Sequence, residues 1–177
     1  MNISSTLSNV FNVVYIAMGT AISIIIGQML GAGKIQEAKE TDRKLIVFAL
    51  ISCLVVGALL SLVAPVFPQI YEADKEVGTM ATKFILIAAM CMPIQGFLNA
   101  CYFTIRSGGK TLITFLFDSF YVWVFSIPLA YVLGHYTMMP ITMLYLICQL
   151  SDLIKCIIGF ILVKQGKWAQ NMVLNEN

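Results

Sequence analysis

The stretch SIIIGQMLGAGKIQEAKETDRK, residues 23–44, joins the end of an uncharged apolar run to a segment of alternating charge. Gly27 and Gly31 form a GxxxG pair, a spacing that lets two membrane helices approach closely. Gly33 follows at the point where a glycine can take the left-handed conformation that ends a helix. The stretch therefore predicts a membrane helix that ends sharply and continues into a charged loop.

The composition of the whole chain also indicates a membrane protein. The 177 residues are 59% hydrophobic and 11% charged, whereas soluble domains carry about 25% charged residues. The mean hydropathy is +0.87. A net charge of +2 is small and scattered, which does not favour a nucleic-acid partner. The chain therefore lacks the charge needed for a water-facing surface, and the lipid bilayer is its expected surrounding.

The reactive side chains do not form a recognisable catalytic or metal-binding pattern. The five cysteines lie within apolar runs and no pair has CxxC spacing, so neither a disulfide nor a zinc site is expected. We find no Ser/His/Asp or Cys/His arrangement placed for catalysis. The chain is therefore predicted not to be an enzyme and to hold no metal or organic cofactor.

Five segments are long and apolar enough to span a bilayer, which requires about 20 residues. They are also longer than the alternating strands of about ten residues that form outer-membrane barrels. The predicted fold class is all-α, a polytopic bundle over residues 1–167 with a tail over 168–177. The predicted spans cover residues 3–31, 45–71, 80–105, 112–136 and 141–163.

The distribution of basic residues predicts the orientation of the bundle. Lys and Arg are concentrated in the first loop, the third loop and the tail, while the second and fourth loops have no such excess. Under the positive-inside rule, the basic segments lie in the cytoplasm and the amino terminus lies outside. These residues are Lys34, Lys39, Arg43, Lys44, Arg106, Lys110, Lys164 and Lys167.

Three motifs in this order resemble those of the multidrug and toxic compound extrusion (MATE) family. The first is IGQMLGAGKIQEAKE at residues 26–40, a helix ending G-Q-x-x-G-A-G before a polar loop. The second is MPIQGFLNACYFTIRSGGKT at residues 92–111, a helix followed by R-[SA]-G-G-x-T. The third is the apolar SIPLAYVL at residues 126–133. The resemblance covers nearly the whole chain.

The resemblance implies an architecture of twelve helices in two lobes, in which this chain supplies the eighth to twelfth. The first lobe and the seventh helix would then be missing partners. It further implies a plasma-membrane antiporter that exports organic cations or amphipathic drugs against an inward flow of protons or sodium. Some sodium-coupled members bear a carboxylate in the helix that here holds Gln95 and Asn99. Protons are therefore the expected coupling ion.

Asp118 is the strongest candidate for cation coupling. It lies eight residues after Lys110, or about 12 Å along a helix, which places it within the hydrocarbon region. A carboxylate at that depth is costly and is treated as functional by default. It lies on one helical face with Thr114. A structural role, hydrogen bonding to a neighbouring helix, is the alternative interpretation.

Asp152 and Lys155 are the other charged residues at depth. Their i, i+3 spacing predicts a local ion pair on one helix, and a transport role is the alternative. Neutral polar side chains at depth would line a substrate cavity or hydrogen-bond between helices. These candidates are Gln95, Asn99, Thr114, Tyr121 and Gln149. Gly108 and Gly109 are expected to form the tight turn after Arg106.

Two further functions remain compatible with the sequence. The five helices can be a channel or transporter subunit that acts as an oligomer, which self-association in mild detergent would favour. A flippase of lipid-linked precursors has related architecture, and complementation of envelope synthesis would identify it. Because alternating access needs two lobes that rock around a central site, five helices alone are expected to be inactive or to need a partner.

Overall fold

The computed structural model describes residues 3–65, 75–109, 111–136 and 140–169. Its described part contains helices and short turns but no strand, which confirms the all-α fold class. Five helices are long and apolar enough to cross a membrane. They are α1, Ile3–Gly31; α2, Ile35–Val63; α3, Lys75–Ser107; α4, residues 111–136; and α5, Ile141–Gln165.

The turn between α1 and α2 is much shorter than the sequence suggested. Gly33 has a φ of 75°, its N–H donates to the carbonyl of Leu30, and the N–H of Lys34 donates to that of Met29. This is the Schellman arrangement that closes a helix. A new helix starts at Ile35, so the expected charged loop is wrong. Residues 36–44 are rich in good helix formers, and they form the first turns of α2.

Helix α3 is the centre of the bundle. It packs against α1, α2 and α5, while α4 packs mainly along α5 at the periphery. The helices also expose many large apolar side chains, including Leu62, Met90 and Trp123. Such an exposed apolar surface is expected in lipid, because lipid tails are as apolar as the side chains they contact.

Close helix contacts occur at glycines other than those predicted. A Cβ on Gly57 would lie 2.7 Å from the carbonyl oxygen of Ala89, and one on Gly96 would lie 2.4 Å from the Sγ of Cys53. Helices α2 and α3 therefore approach closely at these two positions. At Gly27 and Gly31 a Cβ would meet no atom of the described residues within 4 Å. Close packing at the GxxxG pair stays a prediction about neighbours beyond those residues.

Helix α4 is irregular in its middle. Residues Leu116–Phe120 and Val122–Ser126 are π-helical, between α-helical turns at Thr111–Phe115 and Ile127–Tyr136. π-Helical turns are rare and occur frequently at functional sites. The segment therefore surrounds Asp118 with a locally widened helix. The predicted end of the second span, at residue 71, lies outside the described residues.

The chain after α5 folds back onto the bundle. Gly166 ends the helix with a φ of 64°, and the indole N–H of Trp168 donates to the carbonyl of Val163 at 3.0 Å. Trp168 is 3% exposed and belongs to a core cluster with Ile26 and Leu30. The beginning of the predicted tail is thus a packed part of the bundle.

Candidate functional site

Two faces of α5 carry polar side chains into the bundle. Gln149 and Asp152 face α3, whereas Lys155 and the backbone carbonyl of Ser151 face α4. The spacing of three or four residues within each pair places its members on the same side of the helix. We call the polar side chains that α3, α4 and α5 contribute here the intramembrane polar network. They are Gln95, Asp118, Tyr121, Tyr145, Gln149, Asp152 and Lys155.

The part of the network between α3 and α5 is organised by Gln95. Its Nε2 donates to Oδ2 of Asp152 at 2.7 Å and to Oε1 of Gln149 at 3.1 Å. Gln149 in turn donates from Nε2 to the hydroxyl of Tyr145 at 3.2 Å. Pro93 precedes Gln95 by half a turn of α3. One amide therefore connects a carboxylate and a second amide in a region where free polar groups are expensive.

The part between α4 and α5 is an ion pair beside an aromatic ring. The Nζ of Lys155 donates to Oδ1 of Asp118 and lies 5.7 Å from the ring centroid of Tyr121. The Tyr121 hydroxyl donates to the backbone carbonyl of Ser151 at 2.7 Å. The side chain of Lys155 is 10% exposed and that of Asp118 is 49% exposed. The cation is therefore enclosed, while its carboxylate partner remains accessible from outside.

The structure corrects the expected pairing of Asp152 with Lys155. Within the described ranges, the ion pairs are Lys155 with Asp118 and Lys34 with Glu37. Asp152 accepts a hydrogen bond from Gln95. The reason is geometric: an i, i+3 pair can meet on one helix, but here each side chain is oriented toward a partner on a different neighbouring helix. Tertiary contacts therefore override the local spacing.

The remaining candidates have local roles. Asn99 donates from Nδ2 to the backbone carbonyl of Gln95, one turn earlier, at 3.0 Å. Thr114 is 4% exposed on α4. Gly109 has a φ of 74°, and its N–H donates to the carbonyl of Arg106 at 3.0 Å, which closes the turn after α3. No His, Cys, Asp and Glu side chains in the described part gather in a group that could hold a metal ion.

Asp42 is a buried acid that the sequence analysis missed. It is 0% exposed, and its Oδ1 accepts a hydrogen bond from the hydroxyl of Thr104 on α3 at 2.6 Å. Its Oδ2 has no hydrogen-bond partner among the described residues. A signal was present, because Asp42 lies four residues from both Ala38 and Ile46 on the buried face of α2. An acid on such a stripe predicts a polar contact in the core.

We expect Thr104→Val to lower the free energy of unfolding by about 2 kcal/mol, because it leaves a buried carboxylate without its hydroxyl donor. Denaturant titration of the purified chain in mild detergent measures the change. Thr20→Val is the matched control, since the Thr20 hydroxyl makes only an exposed local bond to the carbonyl of Ile16. Equal and small losses in the two variants would show that the contact between Asp42 and Thr104 contributes nothing specific.

Comparison with known proteins agrees with the family resemblance that the three sequence motifs indicate. The model of the MatE family matches residues 1–132 of the chain. A protein of Halalkalibacterium halodurans named "Probable multidrug resistance protein NorM" is 23% identical over 69% of this chain and 27% of its own length. "Multidrug and toxin extrusion protein 2" of Mus musculus is 25% identical over 70% of the chain and 22% of its length.

A third relative, "Probable multidrug resistance protein YoeA" of Bacillus subtilis, is 26% identical over 71% of the chain and 27% of its length. The chain thus spans about a quarter of the length of these curated relatives. No solved structure matches the chain. The family model covers the chain from α1 into α4.

Proposed function

Because the chain belongs to the MatE family, we propose that it forms part of a proton-coupled antiporter that exports organic cations and amphipathic drugs. The names of its relatives support drug extrusion. The observation that carries the coupling proposal is the ion pair between enclosed Lys155 and accessible Asp118. It places a half-exposed carboxylate in front of an enclosed cation, and we propose that an aqueous path reaches this carboxylate.

The proposed mechanism is a competition for the Asp118 carboxylate. In the resting arrangement, the Lys155 ammonium neutralises it across the interface between α4 and α5. A proton that binds Asp118 removes the negative charge opposite Lys155, and loss of that counter-charge is costly for an enclosed ammonium group. That cost favours a rearrangement of the two helices. A cationic drug that contacts Asp118 competes with the proton for the same negative charge, which makes the two fluxes opposite and coupled.

The hydrogen bonds between α3 and α5 have a different role in this proposal. Gln95 holds Asp152 and Gln149 in place from α3, which leaves α3 and α5 connected while α4 moves. The π-helical turns on both sides of Tyr121 concentrate the irregular backbone in the helix that would move.

The proposed transport unit sits in the plasma membrane with the basic end of the bundle in the cytoplasm. The concentration of Lys and Arg at that end supports this orientation. We further propose that the unit contains helices beyond these five. The chain spans about a quarter of its relatives, and transport by rocking needs a second lobe.

The test is transport by the native polypeptide, captured from its own membranes with an antibody to the tail KQGKWAQNMVLNEN, residues 164–177. We expect a band larger than the 19.6 kDa of this chain. After reconstitution into vesicles with a pH gradient, adding an organic cation should release protons, as a trapped pH dye reports. The same addition under a sodium gradient at uniform pH is the control.

Three results would contradict parts of the proposal. Drug uptake that follows the sodium gradient alone would replace protons by sodium as coupling ion. Drug-independent ion flux would indicate a channel. A band at 19.6 kDa would mean that the five helices act as they are or as an oligomer, without a covalently linked second lobe.

A further inference from the structure

A cavity opens at the basic end of the bundle, away from the intramembrane polar network. Its volume is about 750 Å³, within the range of about 300–1,000 Å³ typical of small-molecule sites. Residues from α2, α3, α5 and the segment after α5 line it. The lining includes three basic residues, Lys39, Arg43 and Lys164, against one acid, Asp42. We call this space the basic-end cavity.

The charges of the basic-end cavity converge from two helices. An ideal Cβ on Gly166, at the end of α5, would lie 2.9 Å from the Nζ of Lys39 on α2, so the ammonium group lies beside that helix end. The Nζ of Lys164 lies over the ring of Phe160 at 5.9 Å. Within the described part of the chain, neither lysine has an acidic partner within 4 Å. Asp42 is fully buried, and one of its carboxylate oxygens accepts a hydrogen bond from the hydroxyl of Thr104.

The other wall of the cavity is apolar and continues onto the lipid-facing surface. Val47 of α2 and Phe160 of α5 line it and are 57% and 54% exposed. Trp168, from the segment after α5, also lines the cavity. A ligand with an anionic head and an apolar chain matches this order of charge and apolar surface along the bundle axis. A basic pocket between helices at a membrane surface is a recognised lipid headgroup site.

We propose that the basic-end cavity binds an anionic phospholipid, with the phosphate between Lys39 and Lys164 and one acyl chain along Val47 and Phe160. The occupant is a bilayer lipid and not a transported cation, because the lining carries excess positive charge. The site is separate from the Asp118 and Lys155 pair and does not depend on the transport mechanism proposed above.

The test uses the full 177-residue chain in mild detergent, with Trp123→Phe as background so that Trp168 is the remaining tryptophan. Phosphatidylglycerol with brominated acyl chains is titrated in, and quenching of Trp168 reports binding. We expect saturable quenching, at least about tenfold weaker for brominated phosphatidylcholine. Lys39→Gln with Lys164→Gln should weaken phosphatidylglycerol binding about tenfold or more, by the same electrostatics.

The matched control is Lys34→Gln with Lys167→Gln, which removes the same charge from the same end of the bundle but outside the cavity lining. This pair should bind as the background does. Equal weakening by both pairs, or binding of the two lipids with equal affinity, would overturn the site in favour of a diffuse surface charge. Full competition by soluble glycerol phosphate would overturn a lipid site in favour of a free phosphate. Unchanged thermal unfolding in neutral detergent confirms that each pair is folded.

Discussion

On the proposed antiport function, Asp118→Asn in the native polypeptide should reduce drug efflux to the level of cells that lack the protein. The asparagine cannot carry a proton through the cycle, and it no longer neutralises Lys155. Efflux of a fluorescent organic cation, at matched membrane amounts of protein, measures the reduction. Glu37→Gln is the control, because Glu37 forms the exposed ion pair with Lys34.

The same substitution also has a structural cost, which must be separated from the functional one. Exposed ion pairs contribute about 0–1 kcal/mol, and breaking a buried pair costs about 3–5 kcal/mol. Since Lys155 is enclosed and Asp118 is half exposed, we expect a loss of about 2 kcal/mol, between these limits. The double variant Asp118→Asn with Lys155→Met also removes the ammonium group that has lost its carboxylate, and should recover most of that stability.

Transport by the double variant decides between the two roles of Asp118. If the carboxylate carries the proton, the double variant is stable but still inactive. If Asp118 only neutralises Lys155, recovery of stability brings recovery of efflux. The second result would remove Asp118 from the coupling mechanism and leave Asp152, held by Gln95, as the remaining intramembrane carboxylate in the described network.

Gly108→Ala should destabilise the bundle by about 3 kcal/mol, at the upper end of over-packing costs. An added Cβ would lie 1.9 Å from the carbonyl oxygen of Trp168 and 2.7 Å from its carbonyl carbon. Both are backbone atoms, so no side-chain rotation relieves the clash. The segment after α5 must therefore move away, and the indole of Trp168 leaves the core cluster that it shares with Ile26 and Leu30.

Denaturant titration and fluorescence of Trp168, in the Trp123→Phe background, report stability and position together. The emission should shift to the red as the indole becomes exposed. Gly27→Ala is the matched control, because a Cβ there meets no atom within 4 Å of the described residues. In the isolated chain it should be neutral or stabilise α1 by about 0.5–1 kcal/mol. A Gly108→Ala variant as stable as Gly27→Ala, with unshifted emission, would refute the close approach.

Membrane character, the number of membrane-spanning helices and the end of the first helix could be predicted from local sequence. The low charge content, the five apolar runs and the position of Gly33 each act within a few turns of the chain, so neighbouring residues are enough to determine them. The charged stretch after Gly33 was predicted as a loop because charge was taken to mark a connection. Its helix-forming residues form the first turns of α2 instead.

The partners of the polar side chains were decided by the tertiary structure alone. The separation of Asp152 from Lys155, the pairing of Lys155 with Asp118 and the burial of Asp42 against Thr104 all depend on which helices become neighbours. Lys155 and Asp118 are separated by 37 positions in the sequence, and Thr104 and Asp42 by 62 positions. Sequence determined which residues are costly in a membrane, since that cost is a property of each side chain. Packing determined how the cost is offset, since a partner across an interface exists only after the helices have assembled.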